Sequence, residues 1–477
     1  MKLYNTLSKQ VEDVIPYQDK KIGLYACGFT VYDYTHLGHL RKYSMDDVLI
    51  RTLRHAGFNV NFIQNVTDVG HLSSDSDTGE DKLEKGAKKY GKSVWDIAEE
   101  FETYFFKSMD QMNNIRPDVS CRATEHIPEQ LEMVKTLEKK GFAYVIENDG
   151  VYFDTSKLSD YGKLAGFDPT QLQEGARVEI VEGKRNPTDF ALWKFERAGE
   201  NRAMVWESPW HPRSFPGWHI ECSAMAMKYL GEQFEIHTGG IDHIPVHHTN
   251  EIAQAEAVTG KVPFVKHWVH HNHLHVDGTK MSKSLGNFFT IDDVLEKGFE
   301  PMALRLLFLG THYRSEMNFT WENLKGSQTA WNRLKDMMNE FRNERERTML
   351  SEEKLDKVNE YRTRFFTFME NDLKTSEAIA VMWEVTKSNI PGPDKFDLLR
   401  EFDEVLGLGL AKVQGSNKAQ SLTIQDLPDE VKSLVEQREE ARKNKNWEES
   451  DRLRKEIEEK GYKLVDKGEG VMVRNSV

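Results

Sequence analysis

Residues 21–27, Lys21-Ile22-Gly23-Leu24-Tyr25-Ala26-Cys27, form a short, mostly apolar run that reads as a strand. A glycine-bearing turn follows over residues 28–38. From 40 to 56, Leu40, Tyr43, Val48, Leu49 and Leu53 recur at helical spacing, and Gly57 is a helix stop. Residues 59–64 alternate polar and apolar side chains, as a strand does. Strand, helix, strand in this order predicts a parallel α/β sheet. Ligands of such sheets bind beyond the carboxyl ends of the strands, where Cys27 and the turn from His36 to His39 would sit.

The pattern changes further along. Residues 150–154 read as a strand, whereas 162–186 are rich in glycine and charge, so the stretch from 120 to about 205 reads as an insertion. Residues 251–258 are helical in pattern and 268–276 strand-like. Both are assigned to the second half of the α/β domain. From 321 to 412 the chain is mostly helical in pattern, with few glycines before Gly392 and an apolar stripe at Leu334, Met337, Met338 and Phe341. A polar linker covers 413–427. Beyond Pro428 come an acidic-basic helix pair and a short strand, Tyr462-Lys463-Leu464-Val465. The expected parts are therefore 1–120, 121–205, 206–320, 321–415 and 428–477.

Composition narrows the class. At 477 residues the chain is too long for one ordinary core, which predicts two to four domains. A mean hydropathy of −0.64 describes a soluble protein with much exposed charge. No run approaches the roughly 20 apolar residues of a membrane helix, and the first residues lack the apolar core of a secretory signal. The expected address is the cytoplasm, without membrane contact and as a monomer. Cys27, Cys121 and Cys222 are an odd, widely spaced set, which argues for reduced thiols. The net charge of −14 excludes a uniformly basic coat but not a local basic stripe for nucleic acid.

Two motifs carry the strongest chemistry. His36 and His39 lie three apart in a turn entering a helix, where imidazoles and the helix dipole can meet phosphates. Alone, this spacing more often marks two surface histidines, because it is common by chance. Lys280-Met281-Ser282-Lys283-Ser284 precedes Leu285-Gly286-Asn287, a basic, glycine-bearing loop suited to transient phosphate contact. Alone it reads equally as a solvated loop. In this order the pair points to activation of a carboxylic acid with ATP.

A metal site is the next candidate. His247 and Glu251, four apart, share one helix face, and Cys27 and Cys222 would complete a tetrahedral set. The competing reading is buried thiols beside a helix-surface pair. His267, His270, His271, His273 and His275 form a dense run, with the last three expected on one strand face; the run is expected to line the polar floor of the nucleotide pocket, a second metal site being the alternative. Cys121 reads as a structural thiol. In the tail, Arg438, Arg442, Lys443 and Lys445 recur beside Trp447, a pattern for gripping RNA or, given the interleaved glutamates, a solvated helix.

The chain resembles the cysteinyl-tRNA synthetases nearly end to end. The resemblance rests on Leu3-Tyr4-Asn5-Thr6-Leu7, Cys27-Gly28 through His39, Gly217-Trp218-His219-Ile220-Glu221-Cys222-Ser223-Ala224-Met225, His247-His248 to Gln254, Lys280 to Asn287, Thr311-His312-Tyr313-Arg314-Ser315 and Gln437-Arg438 to Arg452. It implies a Rossmann-like parallel-sheet catalytic domain with an insertion, a helical bundle and a small C-terminal anticodon-binding domain. It implies one zinc ion on Cys27, Cys222, His247 and Glu251. ATP with Mg²⁺ would dock near His36, His39 and Lys283, with Lys280 in the same motif. Amino-acid pocket roles would fall on Gly28, Thr67, Trp218 and Asp242, with Asp242 facing the substrate ammonium. The implied partners are L-cysteine, ATP and tRNA(Cys), joined through a cysteinyl-adenylate.

The sequence departs from the family pattern at Val69-Gly70-His71, where acidic residues and lysine are usual. It departs again at Pro245-Val246 and at Thr249. A related ligase that joins cysteine to an amino sugar would share the adenylate chemistry and the zinc, but lacks the long C-terminal part.

Overall fold

The predicted strand, helix and strand of residues 21–64 become the centre of a five-stranded sheet in the computed structural model. The structure describes residues 1–70, 81–166, 182–282, 285–344, 349–413, 427–444, 446–467 and 470–475. The strand order is Val265–His271, Phe234–Gly240, Lys21–Thr30, Asn59–Thr67, Val119–Arg122. All neighbours run parallel. The first strand in sequence is central. Later strands add first on one side and then on the other, so the direction of winding switches between Lys21–Thr30 and Phe234–Gly240. That switch opens a crevice at their carboxyl ends. Both faces of the sheet are covered, which is why its central strand is apolar almost without interruption.

Helix Leu37–His55 starts earlier than its apolar spacing suggested, because His36 caps it. It ends before Gly57, whose φ of +88° an L side chain would resist. The strand preceding it runs on to Thr30, past the residue where a turn was expected, with a register irregularity between Ala26 and Phe29. Gly28 sits in that irregularity and donates its N–H to Asn65 Oδ1 at 2.8 Å.

The strand expected over 268–276 is two strands. Val265–His271 closes the parallel sheet, whereas Leu274–Val276 belongs to a three-stranded sheet between Thr279–Lys280 and Met317–Phe319. The chain is drawn off at Asn272, whose N–H reaches Tyr313 O at 2.9 Å. His271, His273 and His275 therefore do not share one strand face.

The insertion carries a four-stranded antiparallel sheet of Ala143–Ile146, Gly150–Phe153, Phe190–Phe195 and Ser214–Pro216. Val119–Arg122 belongs to the parallel sheet, and the insertion's last strand lies beyond residue 205. Its buried Phe153, Phe190 and Trp193 join one apolar cluster with Tyr25, Cys27 and Cys222. Residues 167–181 of the glycine-rich stretch lie outside the described residues.

The chain divides into two units: Met1–Trp331 with Arg347–Leu410, and Asn332–Glu346 with Ala411–Val477. In the first, helices Glu352–Met369, Thr375–Lys387 and Gly392–Leu406 pack on one another, and the first and last of them also meet Leu37–His55. Phe365 stacks on Phe402 with centroids 3.8 Å apart. Arg305, fully buried, ties the helices together: it pairs with Asp47 and donates to Leu406 O at 2.7 Å and Asn114 Oδ1 at 2.7 Å.

In the second unit, helices Asp429–Lys443 and Trp447–Glu459 pack with the strand Tyr462–Lys467, which pairs with Gly470–Asn475. Val431, Val435, Ile457 and Leu464 form its core. Arg438 is buried and paired with Glu439 at 2.9 Å, so the expected basic face loses its first member. Lys445 and linker residues 414–426 lie outside the described residues. No described helix is long and apolar enough to cross a membrane.

Candidate active site

The turn ending at His36 and the start of helix Leu37–His55 form a capping box. His36 Nδ1 accepts from the Gly38 N–H at 3.1 Å, and His39 Nδ1 accepts from the His36 N–H at 3.4 Å. The rings stack with centroids 3.5 Å apart. Because both Nδ1 atoms accept, the proton of each neutral ring resides on Nε2. Burial, with His36 and Lys42 nearby, holds the His39 imidazole well below its usual range. The motif thus combines two N–H donors with the positive end of a helix.

The second motif meets the first. A Cβ on Gly38 would lie 2.9 Å from Met281 Cε, so glycine permits this approach. His36 lies edge-on to Phe288 at 5.2 Å. Asn287 closes the loop, accepting from Ser282 N at 2.7 Å and donating to Thr279 Oγ1 at 3.0 Å. Lys280 is exposed on its short strand. Lys283 lies outside the described residues.

Beside this turn, three separated segments converge. Cys27 comes from the central strand, Cys222 from helix Ile220–Leu230, and His247 and Glu251 from one face of helix His247–Thr259. Their donor atoms all lie within 4.8 Å of one another and all four residues are buried. His247 Nε2 stands 3.0 Å from Glu251 Oε1. A second, overlapping set of Cys27, His237, His248 and Glu251 meets the same criterion. His237 Nε2 lies 3.0 Å from Glu251 Oε2, and His219 Nδ1 lies 3.0 Å from His247 Nδ1, so both first-set side chains on the helix are held from behind.

Burial and mutual contact draw the groups of this cluster away from their usual charge states. Burial alone would raise the Cys27 thiol, but the hydrogen bond from Cys222 and the His248 and His237 rings lower it well below its usual range. Burial would lower His247, but Glu251 and Cys27 instead pull it up to about 10. Two sulfurs, one imidazole and one carboxylate in a dry pocket suit a metal ion. Cys121, by contrast, lies with Sγ 3.7 Å from Gln64 O, and burial pushes its thiol up to about 12.

The residues expected to line an amino-acid pocket lie along the same edge. Thr67 pairs with Thr30 and accepts from Asn65 Nδ2 at 3.0 Å. A Cβ on Gly28 would sit 1.5 Å from Asn65 O, which no other residue survives. Trp218 packs on His247 with centroids 4.7 Å apart. Asp242 is exposed in the single turn Ile241–His243, just past the strand end at Gly240. Asp68, next to Thr67, accepts from Thr124 N at 2.9 Å, and burial raises its carboxyl to about 6.

Of the histidine run, His270 and His271 support this edge. His270 Nε2 contacts His248 Nδ1 at 2.7 Å, and His271 Nε2 contacts Asp46 at 2.8 Å. Sequence reasoning missed His237, His248 and Asn65. The signals were present: His248 adjoins His247, and His237 precedes the Gly239-Gly240 strand end.

Residues 13–329 match the family model for the tRNA synthetase class I (C) catalytic domain, and residues 425–474 match the cysteinyl-tRNA ligase anticodon binding domain. A cysteine--tRNA ligase of Burkholderia lata is 43% identical over 98% of this chain and 95% of the relative. One from Treponema denticola is 42% identical over 98% of each. The chain belongs to the cysteinyl-tRNA synthetase family. The fold is similar to Mycobacterium tuberculosis methionyl-tRNA synthetase in complex with methionyl-adenylate, with a TM-score of 0.57 and 14% identity over 82% of this chain and 90% of that one. The family thus accounts for the parallel sheet and the separate C-terminal unit.

Proposed function

We propose that the chain joins L-cysteine to tRNA(Cys) with ATP, through a cysteinyl-adenylate. The observation that carries this reading is the buried set of Cys27, Cys222, His247 and Glu251 at the sheet edge, beside the His36–His39 turn. The donor chemistry fits one zinc ion held by these four residues. When bound, zinc supplies a soft position that takes a thiolate sulfur far better than a hydroxyl, a distinction apolar packing makes only by roughly 10–200-fold.

The chain's own residues do the rest. Gly28 lets the substrate backbone approach the central strand. Thr67 and Trp218 bound the side-chain pocket, and the Asp242 carboxylate faces the ammonium. His36 and His39 donate Nε2–H to the triphosphate. Lys280 and Lys283 neutralise charge that builds as the cysteine carboxylate attacks the α-phosphorus and the bond to pyrophosphate breaks. Mg²⁺ accompanies ATP. A terminal ribose hydroxyl of the tRNA then takes the acyl group and AMP leaves. Residues 428–477 read the anticodon end, supported by the family match over 425–474. That portion also favours tRNA over an amino sugar as acceptor. The expected parts 1–120, 121–205, 206–320 and 321–415 then stand as catalytic half, insertion, second half and helical bundle of a cytoplasmic monomer, except that the first half runs on to Arg122, the insertion's sheet runs on to Ser214–Pro216, and residues 332–346 and those from 411 belong to the second unit.

The test is ATP–pyrophosphate exchange with each amino acid in turn, alongside zinc quantification. Exchange dependent on cysteine, with one zinc per chain, is expected. Exchange with another amino acid, or equal exchange with serine, overturns the proposal.

A further inference from the structure

The side chain of Arg41 is 2% exposed, and among the described residues no carboxylate pairs with it. It follows His39 by two residues in helix Leu37–His55. Its guanidinium donates to four backbone carbonyls: Nη1 to Asn272 O at 2.9 Å and His273 O at 3.1 Å, Nη2 to His312 O at 3.0 Å and Ser315 O at 2.8 Å. These carbonyls come from two segments, and each leads directly into a strand of the small three-stranded sheet. His273 precedes Leu274–Val276, and Ser315 lies two residues before Met317–Phe319. The third strand carries Lys280, which pairs with His275.

The remaining anchors are equally specific. The 312–315 segment is held on its other side by Asp372, whose carboxylate accepts from Tyr313 Oη at 2.5 Å and Arg314 Nη2 at 2.6 Å. The far end of the lysine loop returns to the same helix start: Leu37 N donates to Phe289 O at 2.9 Å, and His36 forms a bridge with Thr290. The far root of the loop is therefore fixed to the turn that bears the two histidines, and the near root is tied to the following helix through Arg41.

We infer that Arg41 is a positioning residue for adenylate formation, its fork setting the spacing between the sheet that carries Lys280 and the turn that carries His36 and His39. This rests on the function proposed above for those two motifs. A planar fork with five donors can bridge four carbonyls from two segments, whereas an ammonium offers three donors from one point. A spacer of this kind matters because two charge-stabilising groups must converge on one triphosphate, and a misplacement of about 1 Å can cost roughly 10²-fold.

The experiment is cysteine-dependent ATP–pyrophosphate exchange by the full chain carrying Arg41→Lys, Arg41→Gln or Arg41→Met, with bound zinc and thermal midpoint measured on the same samples. Exchange kcat is expected to fall stepwise through Lys and Gln to Met, by about 10²-fold at the end. KM for cysteine and zinc content should stay within about twofold. If the Met variant does not fold, the Lys and Gln variants decide. A folded Gln variant with wild-type kcat overturns the inference, as does a series in which only the thermal midpoint falls. A wild-type chain lacking cysteine-dependent exchange would instead refute the function proposed above.

Discussion

The donors around Cys27 and the two nucleotide motifs occupy the same edge of one sheet, yet they are built in opposite ways. Cys27, Cys222, His247 and Glu251 are all buried, and His237 and His219 hold them from behind. On the nucleotide side, His36 and His39 are half-buried and Lys280 is exposed. Under the function proposed above, the contrast follows from two tasks. Telling sulfur from oxygen needs dry, prearranged donors, because water competes for every one of them. Handling ATP needs groups that admit a large anion and let pyrophosphate go, so preorganisation resides in backbone caps and anchors rather than in burial.

The largest expected effect separates the two sides. If the proposed ligand set holds zinc, Cys222→Ser removes one of its ligands, so zinc retention should fall by more than the roughly 10–100-fold typical of losing an outer-shell partner, and exchange should fall with it. Mass spectrometry of bound metal reads this. One zinc per chain with normal exchange would mean the ligand set is wrong. Lys283→Ala should slow exchange by roughly 10²-fold while zinc content stays at the wild-type level. Loss of zinc in that variant would erase the division between the two sides.

His237→Gln tests the support behind the donors. It should weaken metal affinity by roughly 10-fold, within the range for an outer-shell partner, with little change in KM for ATP. Metal competition with a chelator measures it.

The smallest effect is on stability. The Asp68 carboxyl, raised to about 6 by burial, is protonated in the folded chain at pH values where the unfolded chain has released that proton. Its contribution is therefore fully present below about pH 4 and is lost as pH rises through 6. Relative to Asp68→Asn, the wild type should lose about 1–3 kcal/mol between pH 4 and pH 7. Denaturant titrations of both proteins across that range would show a constant difference if Asp68 were ordinarily acidic.

Sequence patterns carried the local structure well. The alternation over 59–64, the apolar spacing from Leu40 and the turn at His36 each depend on near neighbours, and the strands and helix formed where these patterns lay. The convergence of Cys27, Cys222 and His247 depends instead on strand order. Nothing in the spacing of three segments spread over some 220 positions reveals that the chain winds back to its first strand; the family resemblance supplied that grouping. The histidine run misled for a related reason. The two-residue period continues through Asn272, but the carbonyls there bond to Arg41 and the chain leaves the sheet. Arg438 shows the limit of a helical pattern: spacing gave a face, and only packing decided that this member of it points inward.

Gly28 constrains any attempt to retune the amino-acid choice. With the Asn65 carbonyl lying where its β-carbon would be, no enlarging substitution can narrow the cleft from the central strand. With the pocket proposed above, a redesigned enzyme for a bulkier or smaller amino acid would act through Thr67, Trp218 or the sulfur-bearing donors instead. The wall at Gly28 is thus closed to laboratory evolution by backbone geometry alone.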